Sequence, residues 1–293
     1  MLNYMSQNGH AEVVYLFIDG NYFGNGVKDL AVDWFGAEIE DFDYRGFGEG
    51  FKKIFYYDCL PAKTGADTDQ SHDGKKEKKL AFFKMLRTIK GWHVNEGLAK
   101  YNRKQGQYQK EVDILISVDM LTHAYRKNMD KVVFIAGDQD FRPLLEAVTR
   151  EGMYVELKYF PDSISEELLD AADSREPFGL DDLYRYFGQE FRSKNPLPNV
   201  SISGVVIDAQ GWRHNMGGGC FNITSSMKKI ECSVVDNAEI ASIYLDSADS
   251  YYHLLYRISE GVWMPFSYKG DIEFLKRYFS YKCGELKWSK HYG

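Results

Sequence analysis

The chain has 293 residues, which argues for about two domains, and 44% of them are hydrophobic, which excludes wholesale disorder. Its 36 basic residues are outweighed by 43 acidic ones, giving a net charge of −7. Bulk positive charge therefore cannot coat nucleic acid, and any such contact needs a local basic patch.

No run approaches ~18 consecutive apolar residues, so no membrane span is expected. The N-terminus, MLNYMSQNGHAEVV, lacks the basic-then-apolar order of a signal peptide. Cys59, Cys220, Cys232 and Cys283 form no CxxC pair, so reduced thiols in a cytoplasmic protein are the expectation.

In chain order, residues 12–18 (EVVYLFI) form an apolar run ending in Asp-Gly-Asn, read as a buried strand that stops at a turn. Residues 51–57 form a second strand, 61–74 a polar loop, 75–90 a lysine-rich helix, and 92–98 a third strand. A helix over 111–127 carries Ile114, Leu115, Val118, Leu121 and Tyr125 at helical spacing. A strand at 132–136, a helix at 141–151 and a strand at 153–160 follow. Short apolar strands alternating with helices point to an α/β fold, a parallel sheet with helices on both faces.

Residues 162–190 hold nine acidic residues against Arg175 and Arg185 and read as a solvated helical extension closing a first domain, 1–192. SKNPLPN opens a linker, 193–200, ahead of a smaller β-rich domain, 201–293. There SISGVVI, KIECSVV, EIASIYL and YYHLLYRI read as strands, Asp236-Asn237 as a hairpin turn, and 271–279 as a terminal helix. The seven histidines show no ligand spacing, and Gly217-Gly218-Gly219 lacks the following Lys-Ser/Thr of a phosphate loop.

The aspartates carry the chemistry. Asp19 ends the first strand, Asp138 and Asp140 follow the strand at 132–136, and Asp113 and Asp119 lie on the helix between. In a parallel sheet the carboxyl ends of the strands share one edge, where ligands bind, so Asp19 and Asp138 are expected to converge there. Gathered carboxylates repel by about 1–4 kcal/mol per pair at 4 Å, a cost that a divalent cation relieves. Oxygen donors without His or Cys favour Mg²⁺ or Mn²⁺.

FIDGNYF (17–23), QKEVDILISVDMLTHAY (109–125) and VVFIAGDQDFRPLLEAVTREGMYVEL (132–157) together resemble the NYN domain, the LabA-like branch of the PIN-like nucleases. The resemblance covers about 12–160 and implies a metal-dependent ribonuclease fold. By position it makes Asp19, Asp119 and Asp138 the metal-binding acids, Asp140 and Asp113 secondary acids, and Asn21 the polar residue that orients ligands. The family's usual Lys-Gly-Val-Asp is here Lys110-Glu111-Val112-Asp113. Asp113 and Asp119 lie about 120° apart around a helix, so both cannot point at one ion, and Asp119 ranks first.

Residues 75–110 carry eleven basic residues against Glu77 and Glu96, a local +9. Lys75, Lys76, Lys79, Arg103, Lys104 and Lys110, with Tyr101 and Tyr108 among them, form a candidate path for an RNA backbone, and Arg142 is a further candidate phosphate contact. The expectation is an Mg²⁺/Mn²⁺-dependent endoribonuclease with RNA as partner. The C-terminal unit would serve substrate choice, regulation or self-association as a homo-oligomer. Two competing readings are a non-enzymatic RNA-binding adaptor on the same scaffold and a Toprim-type enzyme, the latter lacking its upstream Glu.

Overall fold

The computed structural model describes residues 12–97, 100–102, 106–108, 110–200, 205–208, 211–214, 223–259 and 262–291. Contacts divide the chain into two compact units, Met1–Arg192 and Ser193–Gly293.

In the first unit the order is β1 (Val14–Asp19), α1 (Gly20–Phe35), α2 (Tyr44–Phe47), β2 (Lys53–Cys59), α3 (Asp69–Arg87), β3 (Trp92–Gly97), β4 (Lys100–Asn102), β5 (Gly106–Tyr108) and α4 (Lys110–Tyr125). There follow β6 (Lys131–Ile135), α5 (Arg142–Arg150), β7 (Tyr154–Tyr159), α6 (Glu166–Leu169), β8 (Ser174–Pro177), α7 (Leu180–Tyr184) and α8 (Gln189–Lys194), the last crossing into the second unit.

Six strands form one sheet in the order β3-β2-β1-β6-β7-β8, every pair parallel. β1 and β2 alternate between the two faces, as extended backbone requires. Tyr15, Phe17, Phe55 and Tyr57 meet Val112, Ile116 and Met120 of α4 and Leu144, Leu145 and Val148 of α5. Leu16, Ile18, Ile54 and Tyr56 meet Phe23, Val27 and Ala31 of α1 and Phe83 and Leu86 of α3. Each fully buried apolar side chain contributes about 1.5–3 kcal/mol, so the central strands anchor both layers.

Several local expectations are corrected. Asp-Gly-Asn is no simple stop, because Asp19 caps α1 directly. Helix α3 begins within the expected polar loop, where the Thr68 hydroxyl accepts from the Ser71 N–H at 3.1 Å. On α4 the buried stripe is Val112, Ile116, Met120 and Ala124, while Ile114, Val118 and Tyr125 are exposed. The acidic 162–190 stretch is broken into short helices and also supplies β8, the sixth strand.

The second unit contains β9 (Asn199–Val200), β10 (Val205–Asp208), β11 (Gly211–His214), β12 (Met227–Val235), β13 (Ala238–Asp246), β14 (Tyr251–Ser259), β15 (Val262–Tyr268), α9 (Ile272–Cys283) and β16 (Ser289–Lys290). They form an antiparallel sheet, β11-β10-β15-β14-β13-β12-β16, with β9 on β15, so part of the expected linker is strand. Residues 201–204, expected in a strand with β10, lie outside the described residues. Asp236 and Asn237 turn the β12–β13 hairpin with φ of 50° and 60°. Phe279 of α9 packs its ring on Tyr256 and Phe266.

Candidate metal and nucleic-acid site

All six strands of the first sheet end at one edge, and the acidic side chains collect there. The Asp19 carboxylate accepts from the backbone N–H groups of Asn21 and Tyr22, each at 3.1 Å, and so caps α1. Burial outweighs those bonds and, with the nearby charges of Asp113 and Asp58, pushes its pKa up to about 7. Asp113, in the first turn of α4, is likewise raised, by burial and then by the charges of Asp138 and Asp140. The exposed Asp138 accepts from the Asp140 N–H at 3.0 Å and caps the turn 139–141. Gly137 admits no side chain there, since a Cβ would be driven into the Ser163 carbonyl oxygen and the Tyr22 ring.

Asp19, Asp58, Asp113, Asp138 and Asp140 are thus linked by mutual repulsion. Asp119 has partners of its own. Its carboxylate accepts from the Tyr57 hydroxyl at 3.0 Å and from Asn95 Nδ2 at 3.1 Å. Tyr57 lies opposite Asp19 in the sheet register and Asn95 opposite Tyr57, so Asp119 is held over the β2–β3 side of that row.

Asp58, at the end of β2, was not singled out from sequence, although the rule that found Asp19 applies equally to it. It is 2% exposed. It accepts from the Tyr56 hydroxyl at 3.2 Å and from the Cys59 N–H at 2.7 Å, and pairs with the Lys79 ammonium of α3. The Tyr56 hydroxyl also lies 3.2 Å from the Gly20 carbonyl, to which it can donate instead. Beside this cluster opens a groove of about 690 Å³ lined by Asn21, Tyr44, Asp58, Lys75, Lys78 and Lys79 among others.

The other expected contacts are spread out. Lys75 pairs with Asp67 at 2.6 Å, and Lys76 is exposed. Asn21 is exposed at the groove, its Oδ1 accepting from Asn25 Nδ2 at 3.4 Å. Arg142 pairs along its own helix with Glu146 at 2.8 Å and lines a different cavity, with Thr149 and Arg150. Arg103, Lys104 and the Lys110 side chain lie outside the described residues.

The edge acids fit a hard divalent cation. They are oxygen donors, and burial and like charge raise the pKa values of Asp19 and Asp113, penalties that a cation would reverse. Among the described residues, the three donors that lie within 4.8 Å of one another are elsewhere, Asp246, Asp249 and His253 of the second unit. This corrects the expectation that no histidine sits at ligand spacing. Those carboxylates already cap a turn, accepting from the Ala248 and Tyr251 N–H groups, and His253 Nδ1 lies 2.8 Å from the Ser267 hydroxyl.

The chain is similar to a Vibrio parahaemolyticus protein of unknown function, at 22% identity and a TM-score of 0.42 over 61% of this chain and 99% of that one. It is more distantly similar to a Thermotoga maritima protein named as a possible 1-phosphofructokinase, at 8% identity and a TM-score of 0.26 over 92% and 86%. At those scores neither likeness bears on activity. No curated protein matches. Residues 13–177, more than half the chain, match the family model of the NYN domain, so the chain belongs to the NYN domain family, within the PIN-like nuclease superfamily.

Proposed function

We propose that this protein is an endoribonuclease that hydrolyses RNA phosphodiester bonds with the help of Mg²⁺ or Mn²⁺. The observation that carries the reading is the row of mutually repelling carboxylates, Asp19, Asp113, Asp138 and Asp140, at the carboxyl edge of an NYN sheet.

Asp19, Asp113 and Asp138 would hold the cation, with Asp140 beside them. When bound, it supplies Lewis acidity for water activation and charge for the phosphate oxygens. The chain's own residues do the positioning. The backbone bonds to Asp19 fix its carboxylate at the head of α1. Asn21, at the head of α1 and lining the groove, offers an amide to the RNA strand. Lys75, Lys78 and Lys79 give the groove positive charge beside an acidic edge, which draws in a phosphate backbone while the acids keep phosphate from settling without a cation.

The test incubates purified full-length protein with labelled single-stranded and structured RNA in Mn²⁺, Mg²⁺ or EDTA, beside Asp19→Asn, Asp113→Asn and Asp138→Asn. Cleavage by the wild type that needs metal and falls at least 100-fold in the variants supports the reading. Equal cleavage by all four proteins marks a contaminant, and salt-sensitive RNA binding without turnover in any metal moves the assignment to an RNA-binding adaptor.

A further inference from the structure

Tyr56, Asp58 and Lys79 form a buried polar chain that the proposed metal chemistry leaves unused. Tyr56 and Asp58 are each 2% exposed, inside an otherwise apolar layer of Phe, Leu and Ile. The Tyr56 hydroxyl sits 3.2 Å from both the Gly20 carbonyl and the Asp58 carboxylate. Gly20 is the residue after Asp19, and a Cβ there would be driven into the Tyr56 ring, so ring and turn fit each other closely.

Lys79 is the other end. Its ammonium pairs with Asp58 and lies over the rings of Phe82 and Phe83, 5.7 Å and 5.4 Å from their centroids. Its side chain nevertheless keeps 29% exposure and lines the groove, whereas that of Asp58 keeps 3%. An ion pair taken from water is a poor route to stability, because desolvation offsets its attraction. It is a good route to a fixed cation, because a held ammonium meets an incoming anion without first being ordered.

We propose that Tyr56 and Asp58 are positioning residues, Tyr56 holding the turn that presents Asp19 and Asp58 holding the Lys79 ammonium in the groove, where it contacts a phosphate of a single RNA strand next to the cleaved bond. This rests on the nuclease reading for the identity of the strand. The groove's volume suits a nucleotide-sized segment. Lys79 donates to a phosphate oxygen, and Asp58 and Tyr56 act only through it and through the Gly20 turn.

The experiment uses the full chain with Lys79→Ala, Lys79→Arg, Asp58→Asn and Tyr56→Phe. Binding of a labelled single-stranded oligoribonucleotide is followed by anisotropy in EDTA across a salt series, and kcat and KM are measured in Mn²⁺. Lys79→Ala is expected to weaken binding about tenfold and to lower the salt slope by about 0.7, the share of one phosphate contact on a single strand. Lys79→Arg is expected to restore the slope. Asp58→Asn, which releases the ammonium, is expected to weaken binding severalfold and to lower kcat with it, whereas Tyr56→Phe is expected to lower kcat at least tenfold with RNA affinity kept. An unchanged salt slope in Lys79→Ala overturns the proposal, as does a kcat loss in Asp58→Asn that is matched by loss of folded protein. A wild type that binds RNA but never cleaves it removes the nuclease reading, and the salt slope then still decides the Lys79 contact. A wild type that binds no RNA overturns both.

Discussion

The carboxylates of Asp19 on the first strand and Asp113 on α4 sit close enough across the carboxyl edge to repel each other. Folding gathers charge there that it does not neutralise, so the fold carries an electrostatic cost in the absence of a cation. Function and stability are therefore opposed at this edge.

That opposition is measurable by pH. Asp19 is raised from 3.8 to about 7, so the folded state holds its proton more tightly than the unfolded chain does. The resulting penalty is absent below pH 3.8, grows as pH rises to about 7, and is constant above it. A shift of that size corresponds to about 4 kcal/mol, a ceiling because water still reaches part of the group. Asp19→Asn keeps a side-chain oxygen for the cap and removes the charge. In EDTA it is expected to melt several degrees above the wild type at pH 8, at about 2–4 °C per kcal/mol, with the gap closing near pH 4. Adding Mn²⁺ is expected to raise the wild-type midpoint and leave the variant's unchanged.

Asp113 and Asp119 are expected to separate by phenotype. Asp113→Asn relieves repulsion and removes a carboxylate that would hold the cation, so the fold is expected to stay intact while cleavage falls at least 100-fold. Asp119→Ala strips the acceptor from Tyr57 and Asn95 and is expected to destabilise by about 1–3 kcal/mol, seen in urea melts. Its activity per folded molecule is expected to fall less than that of Asp113→Asn.

The edge was legible in the sequence because a strand of a parallel sheet is an unbroken apolar run, and an Asp directly after such a run lands at the ligand-binding end. EVVYLFI-Asp and VVFIAG-Asp both say so. Asp58 directly follows the strand expected at 51–57, so the same rule points to it. The contacts that hold Asp119, the Tyr57 hydroxyl and the Asn95 amide, were not legible, because they join residues from three separate elements. Helix α1 was missed because Asp-Gly-Asn is a strong turn signal and the capping role of Asp19 looks identical in sequence. Strand β8, Ser-Arg-Glu-Pro, has no apolar run and ends in Pro, as an edge strand can.

Gly137 offers a test of how tightly the loop bearing Asp138 is held. In Gly137→Ala the added methyl has only the Ser163 carbonyl and the Tyr22 ring to displace. A loss of about 1–3 kcal/mol is expected by thermal melting, as for overpacking elsewhere, with cleavage reduced beyond the loss of folded protein because Asp138 moves with the loop.

The hairpin of the second unit predicts the opposite sign. Asp236 and Asn237 both hold positive φ, a conformation that glycine adopts at no steric cost. Asn237→Gly is expected to raise the stability of that unit by a few tenths of a kcal/mol, relief of the left-handed φ outweighing the freedom glycine adds to the unfolded chain, read from the melting of the full chain.

The most direct measurement is anomalous diffraction from crystals of the full-length protein soaked in Mn²⁺. The account predicts a peak within coordination distance of Asp19, Asp113 and Asp138, absent in Asp19→Asn. A wild-type map with no peak at that edge, or with manganese held only by Asp246, Asp249 and His253, would contradict it.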